Sequence, residues 1–372
     1  MLGNGQRNGA AKGQSRLCIR QDYRSGPVRA GNQPADIAVP PPPASTDPAR
    51  WLTVCVATLG CLGTQPAAAE DLALYQASGL FNQTADGYQR WEAAVDYRNH
   101  RRDFFWPWEE AETDGLDWGV NAKYLSGTVD AARFRGTRVL GVLGWRYSTR
   151  VYFEGGLGAH QLRTDDADHE TLGIYTLNAH YTPWAPLSLL FEASKDYVYP
   201  ENVLPGGITQ YLTARTEAMS TTWHATPRVR ATLRARLRDF SDNNRQDQYT
   251  GALLYGISPD TPWVWIGIGG EHMGYDMQRP DYWSPRYYSS YGLRWESDFP
   301  LGARVTASLG LNLDRVHEDG VASNGQYYAF GLDTRISANL VLRLNASRVN
   351  SIQSGSRWHE NTYGLSLAGS LL

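Results

Sequence analysis

From about Tyr88 to Leu372 the chain repeats one pattern: a strand in which apolar and polar residues alternate, followed by a bare turn or a polar loop. In 304–314, Val305, Ala307, Leu309, Leu311 and Leu313 take the odd positions, and Arg304, Thr306, Ser308, Asn312 and Asp314 take even ones. Successive side chains of a strand point to opposite faces, so such a segment has one oily and one wet face. A soluble sandwich alternates too, but it rarely sustains about fifteen such strands in series. The pattern predicts an all-β fold, a transmembrane antiparallel up-and-down barrel with lipid outside and water within.

Composition agrees. The mean hydropathy of −0.46 is too low for helical spans, and no run approaches the ~20 apolar residues that a spanning helix needs. The 22 Tyr and 13 Trp outnumber the 9 Phe, which suits rings seated at a membrane–water boundary; a carbohydrate-binding β-protein would share this trait. With a net charge of −3 and no recognition motif, nucleic acid is not an expected partner.

Cys18, Cys55 and Cys61 all precede Glu70. Arg50, the apolar run 51–63, and Pro66 followed by Ala67, Ala68 and Ala69 have the layout of a secretory signal peptide. This reading makes 46–69 the signal, with cleavage after Ala69, and 70–372 the barrel, which then holds no cysteine for disulfide or thiol chemistry. Lipidation of Cys61 is the alternative, although Thr58, Leu59 and Gly60 fit a lipobox poorly. Residues 1–45, with the run Pro40 to Pro43, show no apolar period and read as a disordered extension. Signals normally begin near the true start, so one expectation is that this stretch is not translated in the cell.

Strands are expected near 358–371, 339–350, 325–337, 302–316, 286–298, 262–275, 247–258, 227–239, 209–224, 186–197, 170–182, 150–162, 137–148 and 115–126. Tight connections carry Pro183 and Pro186, Pro227, Pro259 and Pro262, Pro300, or Ala338-Asn339; proline removes a ladder donor and ends a strand. Between them lie the polar stretches Tyr199 to Gly207, Ser241 to Gln246, Met277 to Pro285, Glu318 to Gly325 and Ser351 to Arg357, expected as longer loops. Short turns face the periplasm in outer-membrane barrels, which would place the C-terminus there. Upstream, Tyr88 to Asn99 alternates clearly and Leu72 to Phe81 weakly. Counting both gives about 16 strands and both termini periplasmic, with Arg101 to Gly115 as a long periplasmic loop; leaving both out gives about 14. The last segment, with Tyr363, Leu365, Leu367 and Leu371 on one face, resembles the C-terminal signal read by the outer-membrane insertion machinery, although Leu372 replaces its usual aromatic end.

The inward face should be polar. In Arg228 to Arg238, Arg228, Arg230, Arg234, Arg236 and Arg238 share one wall opposite Val229, Ala231, Leu233, Ala235 and Leu237. Either these arginines form a cationic ladder along a pore, or they pair across the lumen with Glu154, Glu192, Glu217, Glu296 and Asp333 and brace the barrel. Arg294, Arg304, Arg335 and Arg343 share the inward parity, which favours a mixed-charge lumen. Tyr175, Tyr181, Phe191, Tyr255, Tyr291, Trp295, Tyr328, Phe330 and Tyr363 should face outward as girdles.

No metal, cofactor, phosphate or nucleophile motif stands out. His160, His169 and His180 are dispersed, and Asp165, Asp166 and Asp168 lack the calcium-loop pattern. Ser220 with His224, or Ser356 with His359, could be drawn as an outer-membrane hydrolase site on the lipid side of the rim, but such pairs are common and no enzyme is expected.

Two loop segments carry a resemblance. Ser241-Asp242-Asn243-Asn244-Arg245 resembles the Ser-Asp-Gly-Asn-Arg segment, and Tyr282-Trp283-Ser284-Pro285 the Tyr-Phe-Ser-Pro segment, of the barrels that end tetratricopeptide-containing exporters of cellulose and poly-N-acetylglucosamine. The resemblance implies a 16-stranded barrel passing polysaccharide or oligosaccharide. Asn243 departs from the family's Gly, though Asn also enters left-handed turns. No helical repeat precedes Glu70, so a separate periplasmic scaffold protein would be a partner beside membrane lipid and a saccharide. The alternative function is a plugged barrel serving as receptor, adhesin or structural protein.

Overall fold

The computed structural model describes residues 73–99, 115–129, 132–165, 169–198, 208, 210–258, 263–337, 339–353 and 356–370. The expected extension, the signal peptide, the loop 101–114 and the stretch Tyr199 to Gly207 lie outside the described residues. The strands are β1 (Leu74–Thr84), β2 (Gln89–Arg98), β3 (Gly115–Val129), β4 (Ala132–Ser148), β5 (Val151–Thr164), β6 (Glu170–Trp184), β7 (Leu187–Tyr197) and β8 (Thr213–Thr226). They continue as β9 (Val229–Phe240), β10 (Arg245–Ser258), β11 (Trp263–Tyr275), β12 (Tyr288–Pro300), β13 (Val305–Glu318), β14 (Val321–Ser337), β15 (Leu340–Gln353) and β16 (Ser356–Ser370).

Each strand pairs antiparallel with its chain neighbours. β1 pairs with β16 from Leu74↔Ser370 to Thr84↔Glu360, so the sheet closes into a 16-stranded barrel with no free edge. An even count returns the chain to the rim it left. That rim, which holds both ends of the barrel, is called here the terminal rim, and the opposite one the far rim.

Geometry decides which face is inside. Arg230 on β9 pairs with Glu296 on β12, and these strands are not neighbours, so the contact crosses the interior. On β13 the even positions Ser308, Asn312 and Asp314 share this inward side and are buried, whereas Leu309 and Leu313 are exposed. Leu157, Leu143, Leu233 and Ile268 are 61–75% exposed on the outside. In water each would forgo ~1.5–3 kcal/mol of burial; a hydrocarbon surround removes that cost. Tyr181, Phe191, Tyr255, Tyr291, Trp295, Tyr328, Phe330 and Tyr363 are exposed on the same outer face, with Tyr175 half-buried beside them.

The far-rim connections are shorter than their polarity suggests. Glu318 to Gly325 is almost all strand, with only Asp319 and Gly320 turning, at φ 45° and 90°; Asp-Gly is a favoured pair for such a hairpin. Ser241 to Gln246 reduces to the turn Ser241–Asn244, in which Asn243 has φ 63°. Most of Ser351 to Arg357 belongs to β15 and β16. Beyond the hydrocarbon both faces of a strand meet water, so alternation fades while the ladder continues. Only 198–212 and 276–287 remain as long far-rim connections.

Candidate functional site

Ion pairs thread the interior. Arg234 on β9 lies 2.8 Å from Glu192 on β7, and Arg98 on β2 lies 2.9 Å from Glu154 on β5. Asp196 on β7 forms an ion pair with Arg138 on β4, 3.1 Å from its Nε, and meets His160 Nδ1 on β5 at 2.6 Å. With Arg230–Glu296, each of these skips at least one strand. Adjacent strands add Arg294–Asp314 and a two-pronged Arg343–Asp333 contact at 2.7 and 2.8 Å. A guanidinium fork on a carboxylate is both strong and directional, so the inward arginines of β9 and their neighbours brace the wall. Arg236 and Arg238 also have partners, and Arg236 stands opposite Gln248, whose amide is bonded to Glu271.

Several expectations need correction. Glu217 stands opposite outward Leu237 and is exposed, so it faces away from the lumen; the charged residues Arg215 and Glu217 beyond the apolar belt hide the parity there. Arg228 and Arg304 are exposed and precede β9 and β13, which places them on turns of the terminal rim rather than on the wall. Arg335 is exposed near that rim, its N–H bonded to the Arg304 carbonyl at 2.7 Å. Ser220 stands opposite inward Arg234, so Ser220 and His224 face the lumen and not lipid. Nor is the inner face uniformly polar: Leu140, Val142 and Ile174 pack together, as do Leu254, Trp263 and Trp265, with Arg230 over the Trp265 ring at 5.0 Å.

The largest apolar cluster lies at the far mouth. Leu125, Phe134, Leu162, Phe240, Met273, Tyr275, Tyr288 and Val316 come from strands β3 to β13, and Val198, Ile208, Leu212, Tyr282 and Trp283 come from the two long connections. The described residues of both connections therefore pack against the inner wall at this mouth.

The two loop motifs meet in this cap. Asn244 Nδ2 donates to the Met277 carbonyl at 2.8 Å and to the Tyr282 hydroxyl at 2.7 Å, while its Oδ1 accepts from Met277 N–H at 3.0 Å. The Tyr282 hydroxyl donates in turn to Asp242 at 3.1 Å, and Arg279 binds both the Asp242 carboxylate and its carbonyl. Burial pushes the Tyr282 phenol above its usual pKa range, so it remains a donor. Phe240 stacks on Tyr282 at 5.3 Å, and Trp283 Nε1 donates to Glu318 at 2.9 Å. Ser284 Oγ accepts from Arg279 N–H, and the Pro285 carbonyl from Tyr275 N–H. Ser241 ties the turn to β8 by accepting from Thr213 N–H, and Arg245 is exposed, 4.0 Å from Asp239. These contacts form a clasp that joins the loops to one another.

Among the described residues no group of three or more His, Cys, Asp or Glu could hold a metal. His160 and His180 face the lumen on separate strands, and His169 is exposed; Asp166 and Asp168 lie outside the described residues. Arg98, Arg138 and Asp196 belong to no motif legible in the sequence. Their alternation with outward residues could have placed them inside, but periodicity carries no record of which distant strands face each other.

The closed sheet, outer apolar belt and ion-paired interior define the class: an outer-membrane-type β-barrel. The chain is similar to a solved structure described as a bacterial polysaccharide outer membrane secretin, with a TM-score of 0.66 and 10% identity over 82% of this chain and 100% of that one. Looser likenesses are CdiB from Acinetobacter baumannii (TM-score 0.48, 8% identity, 80% of this chain and 60% of that one) and OccK5 (OpdH) from Pseudomonas aeruginosa (0.43, 12%, 82% and 99%). No protein-family model and no curated protein matches the sequence.

Proposed function

We propose that the protein is an outer-membrane pore that passes polysaccharide or oligosaccharide by passive transit, with the far rim outside and both ends of the barrel in the periplasm. The observation that carries this reading is the lumen's pairing of arginines with carboxylates, as in Arg234–Glu192 and Arg230–Glu296. Paired charges offer many hydrogen-bonding groups while opposing fields cancel, which suits a neutral sugar better than an ion. Likeness of fold to the polysaccharide secretin, and the resemblance of the two loop motifs to those of exopolysaccharide exporters, lend support. Transit involves no covalent step and no cofactor. The precursor would be cleaved near Ala69, inserted by the barrel-assembly machinery, and coupled to a separate periplasmic scaffold protein.

A second reading, a plugged barrel acting as receptor, adhesin or structural protein, is favoured by the apolar cluster at the far mouth. Single-channel recording of the refolded protein, with and without oligosaccharides, separates the two. Conductance that oligosaccharides block supports the pore; a folded protein that stays silent even after the cap is loosened refutes it.

A further inference from the structure

On the outer face at the far rim, Arg135 of β4 and Arg163 of β5 stand directly opposite each other, and both are exposed. Arg133, also exposed and two residues along the same face, joins them. Like charges directly opposite on neighbouring strands destabilise the pair, and among the described residues no carboxylate forms an ion pair with any of the three. Asp165 follows β5 but reaches Arg133 only through its backbone N–H, at 3.1 Å.

The position is as informative as the charge. Toward the terminal rim the same outer face carries Val139, Leu157, Leu143, Phe153 and Trp145, all exposed. The ten-residue step from Arg135 to Trp145 on β4, at ~3.3 Å per residue and a tilt of ~40°, spans ~25 Å of height, which is the thickness of a barrel's apolar band. The arginines thus sit where hydrocarbon gives way to headgroups. Beside them, Gln161 opposite Thr137 and Ser126 opposite Arg135 present neutral hydrogen-bonding groups on the same face.

We propose that Arg133, Arg135 and Arg163 form a docking face for the phosphates of a phosphorylated glycolipid of the outer leaflet, with Gln161, Thr137 and Ser126 meeting its sugar hydroxyls. A phosphate between Arg135 and Arg163 turns their repulsion into two charge-assisted bonds. The sugar-facing groups select a glycolipid over a glycerophospholipid. The proposal rests on the far rim facing outward, and labelling of Asp165→Cys in intact cells tests that orientation alone.

The test is native mass spectrometry of the detergent-solubilised protein titrated with bisphosphorylated lipid A, dephosphorylated lipid A or phosphatidylglycerol. The native protein should retain bisphosphorylated lipid A at about tenfold lower concentration than either of the others. In Arg135→Gln/Arg163→Gln this preference should disappear while the heat-modifiable gel shift of a folded barrel persists. Equal retention of the three lipids by the native protein overturns the proposal, and so does an unchanged preference in the folded double variant. The comparison among lipids needs no variant, so it decides the matter even if the double variant fails to fold.

Discussion

Asn244 Nδ2 lies 2.7 Å from the Tyr282 hydroxyl, and this buried bond ties the β9–β10 turn to the β11–β12 connection, 38 positions away in the chain. The same asparagine holds both backbone groups of Met277. With the Arg245 N–H, which also donates to its Oδ1, one side chain thus meets four polar groups.

Asn244→Ala should therefore loosen the cap without unfolding the barrel. Each polar group left unsatisfied costs about 1–3 kcal/mol, so amide exchange in 276–287 should speed up markedly and the channel should open more often in planar-bilayer recordings. Unchanged exchange in that loop would remove the clasp as the fastening of the mouth.

Arg234→Glu with Arg236→Glu reverses two inward charges and leaves Glu192 facing a like charge. Reversal-potential measurements should show a shift toward cations, and thermal stability should fall, by about 3–5 kcal/mol if the broken pair behaves as a buried one. A double variant with native selectivity would place these side chains off the conducting path.

Orientation is testable with single introduced cysteines, because residues 70–372 contain none. Asp165→Cys, at the far rim, should react with a membrane-impermeant maleimide on intact cells, and Arg150→Cys, in a turn at the terminal rim, should react only after the envelope is opened. The reverse pattern would invert the molecule.

Gly320→Ala probes the Asp319–Gly320 hairpin. A Cβ there would meet nothing within 4 Å, but φ is +90°, so the cost is purely conformational, about 1–2 kcal/mol. Denaturant titration should show a modest drop in stability with conductance intact.

The strands were legible because two solvents, hydrocarbon and water, impose a period of two on every span. Val305 to Leu313 shows it plainly, and β12 and β13 matched expectation to within about three residues at each end. The reading weakened wherever one solvent was missing. The sequence pattern suggests a start near 137, but β4 begins at Ala132, because Arg133 and Arg135 lie beyond the apolar belt while Phe134 is buried inside. Glu217 was misplaced for the same reason. The clasp was visible only as two separate motifs, since nothing in a linear string says that Asp242 and Tyr282 touch. Partners such as Arg138 and Asp196 follow from the barrel's curvature, a property of the closed sheet and not of any one segment.

The seam Leu74↔Ser370 pairs the earliest residues of the barrel with its latest. Until the last strand has been synthesised the first has only one neighbour, and every shorter product leaves two raw edges able to stick to other chains. Closure therefore waits on the final segment, and a chain truncated before β16 would leave β1 and its last strand as unpaired edges.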